Sequence, residues 1–170
     1  MADPAIFIGL GANLPSPAHG PPEATLAAAL ERLDALGLRV SARSRWYESA
    51  PVPASDQPWY LNAVARLETA LDPAALLALL HRVEAEFGRV RGARNAPRLI
   101  DLDLLAYGDR VATGGAAPLL PHPRMHERAF VLLPLREIAP DWRHPLLGRT
   151  VGELIRMLPP GQIARPRAAS

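Results

Sequence analysis

Asp101 and Asp103 are the sharpest chemical feature of this 170-residue sequence. They lie in a strand-like run, residues 98–107, where they alternate with Ile100, Leu102 and Leu104. That alternation puts both carboxylates on one face and the aliphatic side chains on the other, with the two acidic Cα atoms about 6.6 Å apart. Two acids side by side repel each other and disfavour strand structure. A divalent cation offsets both costs. Two carboxylates are too few for a protein-only calcium cage, but they suit Mg²⁺, which keeps waters and takes further oxygens from substrate phosphates. On spacing alone, a pair of acids on a solvated sheet face answered by arginines is the reading favoured over metal.

Arginines are close by. Arg89, Arg91, Arg94 and Arg98 crowd the ten residues that lead into the acids. Guanidinium groups beside a carboxylate pair suit a metal-bound polyphosphate, with cations for the anion's flanks and acids for its metal. A solvated arginine-rich loop with weak surface ion pairs is the plain alternative. Glu84 falls in a Leu77, Leu80, Glu84, Phe87 series at helical spacing, which puts it at the edge of an apolar stripe. There it either takes Arg89 or Arg91 as a partner or sits in water at the helix rim. Tyr60 and Asn62 share one face of an alternating run, residues 60–69, beside a proline-rich loop. An aromatic plate next to a side-chain amide can stack on and hydrogen-bond a flat heterocycle, or it can be an ordinary sheet edge. His122, between Pro121 and Pro123, is expected in a stiff exposed loop within reach of phosphate. Gly9-Leu10-Gly11 lacks the third glycine of a dinucleotide fingerprint and reads as close backbone packing.

Composition narrows the chemistry. All 19 basic residues are arginine, and the net charge is only +2. Without lysine there is no ordinary P-loop, no Schiff-base chemistry and no kinase β3 lysine. Phosphate handling falls to arginine forks, backbone N–H groups, histidine or metal. The sequence contains no cysteine, which removes disulfides, thiolate nucleophiles and thiolate metal sites. The N-terminus has neither the basic nor the apolar region of a secretory signal, and no apolar run is long enough for a bilayer span. A cytoplasmic protein is expected.

The elements that must position these residues follow from the pattern. Strands are expected at residues 5–11, 38–48, 60–69 and 98–107, and helices at 23–36, 73–87, 130–138 and 150–158. Gly37 should close the first helix, and Asp72 with Pro73 should open the second. The order β-α-β-β-α-β followed by helices predicts an α+β fold: a ferredoxin-like sheet with helices packed on it, in one three-layer domain over residues 1–170. Residues 159–170 are expected to fray. An RNA-binding module shares this layout, but it needs stacking aromatics on the central strands, and the chain has three Phe and three Tyr. Asp101 and Asp103 would also repel phosphate there unless a metal were bound.

Several segments in order resemble one family. They are Ile8-Gly9-Leu10-Gly11-Ala12-Asn13-Leu14, then Gln57-Pro58-Trp59-Tyr60-Leu61-Asn62-Ala63, then Gly88-Arg89-Val90-Arg91 with Ala96-Pro97-Arg98-Leu99-Ile100-Asp101-Leu102-Asp103. Leu120-Pro121-His122-Pro123-Arg124-Met125, with Arg128 and Phe130, completes the series. This set resembles hydroxymethyl-dihydropterin pyrophosphokinase, over residues 5–145. The resemblance implies transfer of pyrophosphate from ATP to the hydroxymethyl group of the pterin in folate synthesis, with AMP as the other product. It implies two Mg²⁺ ions on Asp101 and Asp103, with Arg89 and Arg98 among the catalytic groups. The pterin would lie between Tyr60 and Phe130, read by Asn62 and by backbone groups at Ser49 and Val52. Glu84, Arg89, Arg91, Arg98, His122 and Arg128 would serve the ATP side. The implied partners are ATP and the pterin, with no nucleic acid or membrane, on a monomer. Two departures stand out: Asn95-Ala96 replaces a Trp-Gly pair common in the family, and Pro123 follows His122 where some relatives have Tyr. An inactive paralogue is the alternative that these departures leave open.

Overall fold

A computed structural model describes residues 4–89, 98–115 and 118–168. The elements run β1 (Ile6–Ala12), α1 (Pro22–Ala35), β2 (Arg39–Arg43), β3 (Tyr47–Ser49), β4 (Tyr60–Glu68), α2 (Pro73–Glu86) and β5 (Asp101–Tyr107). A 3₁₀ turn (Met125–Glu127), α3 (Ala129–Ile138), α4 (Val151–Arg156) and β6 (Ala164–Pro166) follow. The sheet order is β5-β1-β4-β3-β6, with β2 also on β4, and every described pairing is antiparallel. The expected β-α-β-β-α-β arrangement is therefore present. Local signals explain its punctuation. Asp72 caps α2 by accepting the Ala75 N–H at 2.8 Å. Gly37 and Gly88 take φ near +90°, which ends the two helices without a Cβ clash.

The sheet is covered on both sides. One face carries Ile8, Leu10, Ala63, Ala65, Leu102 and Leu104 against Leu26 and Leu33 of α1 and Leu76, Leu80 and Val83 of α2. The other carries Phe7, Val64, Leu105 and Ala106 against Val131, Leu132 and Leu135 of α3 and Val151 and Leu154 of α4. A bulge in the β1–β5 pairing puts the consecutive Leu105 and Ala106 into this second core. α3 and α4 cover only part of that face. Beyond them, the remaining positions of β1, β3, β4 and β5 form the floor of a cavity.

Two expectations need correction. The run 38–48 is two strands, not one. Between them Ser44 donates its N–H to Val64 O at 2.9 Å and accepts the Val64 N–H on its hydroxyl at 3.1 Å. That side-chain bond replaces a ladder bond and turns the chain. The segment from residue 159, expected to fray, instead crosses the sheet edge and adds β6 to β3, pairing Ser49 with Ala164 and Tyr47 with Pro166. Its signal was weak because the run is short and proline-bounded, and its order comes from long-range pairing.

Candidate active site

The cavity is about 570 Å³, a size that suits a small molecule together with part of a nucleotide. Its floor is built by strand alternation. Gly9 lies opposite Val64 and Asp103, and Gly11 lies opposite Asn62 and Asp101. The two glycines therefore form a bare strip between the amide of β4 and the carboxylates of β5. A Cβ on Gly11 would come 3.0 Å from Asn62 Nδ2, whereas one on Gly9 would meet only Leu105 at 3.6 Å. The close packing expected from sequence holds at Gly11, whereas Gly9 leaves room on the floor of the site.

Asp101 and Asp103 point into this cavity from β5, as alternation requires. Arg89 Nη1 donates to Asp101 Oδ1 at 2.7 Å, and Arg98 lies 3.7 Å from the same oxygen. Asp103 has no ion pair among the described residues. Burial, and then the charge of Asp101, push its carboxyl up to about 7 against the pull of Arg128. Glu84 is not a rim residue in water. It is 1% exposed, pairs with Arg89 and accepts the outward N–H of Leu102 on the edge strand at 2.9 Å. Burial raises its pKa, opposed by the Leu102 N–H and Arg89. Its other oxygen, Oε1, is buried with no hydrogen-bond partner among the described residues. Glu84 thus anchors Arg89, which in turn faces Asp101.

The ring-binding candidates gather across the glycine strip from the carboxylates. Asn62 and Ser49 are buried, and the Ser49 hydroxyl donates to Asn62 Oδ1 at 2.5 Å, which leaves Nδ2 above Gly11. Tyr60 and Phe130 both line the cavity, and Arg128 lies over the Phe130 ring at 5.5 Å. Val52 lines the cavity although its side chain is exposed. His122 is half-buried rather than exposed, because its N–H donates to Leu105 O at 2.8 Å and holds the loop against β5. Burial and then Arg128 lower its pKa to about 4, so the imidazole is neutral near pH 7. His122 Nδ1 accepts the Arg124 N–H at 3.1 Å, so Nε2 carries the proton. Arg91, with Arg94, Asn95 and Ala96, lies outside the described residues.

Sequence reasoning missed Asn13 as a brace. Its Oδ1 accepts the Arg98 N–H at 2.8 Å and its Nδ2 donates to Pro58 O and Gln57 Oε1, both at 3.1 Å. One buried amide thereby ties the loop after β1 to the loop before β4 and to the segment that enters β5. The only hint in the sequence was a polar residue directly after an apolar strand. Pro159, Pro160 and Gln162, on the segment expected to fray, also line the cavity.

The residues present fit Mg²⁺ better than a caged metal. Among the described residues no group of three or more His, Cys, Asp or Glu gathers to hold an ion. Two carboxylates, one of them without a salt-bridge partner among the described residues, instead suit an ion that takes its remaining oxygens from water and phosphate.

A ring slot that opens onto arginine-flanked carboxylates is the layout of a small-molecule phosphotransferase. The chain belongs to the 7,8-dihydro-6-hydroxymethylpterin-pyrophosphokinase (HPPK) family, whose profile matches residues 7–140. It is 44% identical over 160 residues to the 2-amino-4-hydroxy-6-hydroxymethyldihydropteridine pyrophosphokinase of Methylorubrum extorquens, covering 94% of this chain and 96% of that one. The enzyme of the same name from Pseudomonas aeruginosa is 41% identical over 157 residues, 91% of each chain. The folic acid synthesis protein fol1 of Pneumocystis carinii is 39% identical over 147 residues, 86% of this chain but 19% of that longer one. Plasmodium falciparum HPPK-DHPS with pteroate shares the fold, with a TM-score of 0.67 over 92% of this chain at 13% identity. This chain spans 44% of that structure's length. The protein is thus a pyrophosphokinase of the folate-synthesis family, and the RNA-binding and inactive readings have no support among its relatives.

Proposed function

We propose that this cavity moves the β,γ-pyrophosphoryl group of ATP onto the hydroxymethyl oxygen of 6-hydroxymethyl-7,8-dihydropterin. The observation that carries the reading is the meeting of a ring slot (Tyr60, Asn62, Phe130) and a carboxylate–arginine cluster (Asp101, Asp103, Arg89, Arg98) in one cavity. The oxygen–phosphorus bond forms at the β-phosphorus as the bond to the α,β-bridging oxygen breaks, and AMP leaves with that oxygen. The protein's work is positioning and charge neutralisation. Asn62 Nδ2 donates to the ring edge, held by Ser49, while Tyr60 and Phe130 provide apolar faces. Backbone groups near Ser49 and Val52 complete the ring's polar contacts. Arg89, braced by Glu84, and Arg98 flank the phosphates, with Arg91 assigned to the same side by resemblance alone. His122 Nε2–H donates as a neutral group, and Arg128 adds charge beside Phe130.

Asp101 and Asp103 would hold Mg²⁺, two ions in this reading. Mg²⁺ when bound neutralises phosphate oxygens and acidifies the attacking hydroxyl. Asp101 would answer both the ion and Arg89, and Asp103 would take the hydroxyl proton. The same reading takes the chain as a cytoplasmic monomer. Among the described residues no helix is long and apolar enough to cross a membrane. The test is AMP release from ATP with and without the pterin. AMP formed only with the pterin and abolished by EDTA is the expected result. Well-folded protein that forms no AMP would overturn the reading.

A further inference from the structure

The segment after α4 lies beyond the stretch matched by the family profile, which ends at residue 140. It nevertheless lines the cavity, through Pro159, Pro160 and Gln162. β6 pairs with β3, and Ala50 donates its N–H to Ile163 O at 3.0 Å, directly after Ser49. On its other side, Gln162 reaches the start of α3. Its Oε1 accepts the Ala129 N–H at 2.9 Å, and its Nε2 donates to Glu127 O at 2.7 Å. The residue between those two anchor points is Arg128.

The chemistry of that contact is specific. Arg128 is the N-cap of α3 and makes no side-chain cap. The first N–H of the helix, at Ala129, is therefore an orphan donor that needs an acceptor from elsewhere. Glu127 O ends the preceding 3₁₀ turn. A primary amide offers one acceptor and donors on one short side chain, so it can satisfy both groups at once. Gln162 thus pins the peptide units on either side of Arg128. Phe130 follows one residue later and faces the same cavity.

We propose that the strap of residues 159–166 sets the width of the ring slot, and that Gln162 is a positioning residue for Arg128 and Phe130. One wall of the slot, Ser49 on β3, and the opposite wall, Phe130 on α3, come from distant parts of the chain, and the strap hydrogen-bonds to both sides. This inference rests on the pterin reading of the slot given above.

The test compares Gln162→Ala and Gln162→Glu with wild type, using Arg39→Ala on β2, outside the strap and the cavity, as a control. Steady-state AMP release gives KM for the pterin and for ATP, and pterin fluorescence gives its Kd. Loss of two hydrogen bonds that orient a binding wall should raise the pterin KM about ten-fold, with a smaller change in the ATP KM. Gln162→Glu keeps the acceptor for Ala129 but sets a carboxylate against Glu127 O. Protonation restores the donor, so its pterin Kd, relative to wild type at the same pH, should fall toward one as the pH is lowered through the ordinary glutamate value of about 4.3. A role in stability alone would lower the thermal midpoint of both variants without that recovery, which would overturn the proposal. So would a pterin KM in both variants matching wild type and Arg39→Ala. Wild-type protein that releases no AMP with the pterin would instead remove the underlying pterin reading.

Discussion

Replacing Asp103 with Asn should stabilise the metal-free protein while ending turnover. In the folded chain this carboxyl sits at about 7, against an ordinary value of 3.8, because it is buried beside Asp101. Ionising it at pH 8 therefore costs the fold about 1.36 kcal/mol for each pH unit of that gap, ~4 kcal/mol as a ceiling. Water in the cavity and relaxation of Arg128 lower that figure, and about 2 kcal/mol is the working value. For a chain of this length that is a rise in melting midpoint of about 4–8 °C. Asn is neutral at every pH, so its advantage is full above pH 7 and shrinks as the pH falls through 7. It is gone below about 4, where the wild-type acid is protonated in both the folded and the unfolded chain. On the proposed Mg²⁺ site the ion should reverse the order, because binding to the folded state would raise the wild-type midpoint and leave the variant nearly unmoved. Calorimetry at pH 8 and at pH 4.5, in EDTA and in saturating Mg²⁺, reads all of these arms, and AMP release reads turnover. A variant no more stable than wild type at pH 8 in EDTA would refute the account of Asp103 as an acid destabilised by burial beside Asp101.

Other outcomes follow from single contacts. Glu84→Ala strips the partner from the Leu102 N–H and from Arg89, so urea denaturation should show a loss of about 2–3 kcal/mol, with Glu84→Gln intermediate. Gly11→Ala places a methyl 3.0 Å from Asn62 Nδ2 and should raise the pterin KM several-fold at nearly unchanged stability, whereas Gly9→Ala, with its 3.6 Å contact, should leave the fold intact and be felt only with ligand bound. His122 titrates near 4 and stays neutral at higher pH. His122→Asn should therefore weaken ATP binding without changing the shape of the kcat/KM profile between pH 5.5 and 9, and loss of an inflection there would contradict the neutral-donor role.

The sequence by itself determined the order of the main elements and the faces of the site strands. Strand alternation is a local rule, so Asp101 and Asp103 had to share a face opposite Ile100, Leu102 and Leu104, and Tyr60 had to share one with Asn62. Helix ends were legible for the same reason, since Asp72-Pro73 and Gly37 act within one turn. Tertiary structure decided what depends on distant neighbours. Glu84 has the spacing of a rim residue, but it is buried because the edge strand offers it the Leu102 N–H and Arg89 folds back onto it. The burial of His122 and its neutral state come from a backbone bond to Leu105 and from Arg128 nearby. Asn13 joins three loops through partners as far as 85 residues along the chain. Residues 159–166 carry little pattern of their own and take their order from β3 and α3. Local periodicity fixes which way a side chain points, and only the folded chain fixes what it meets there.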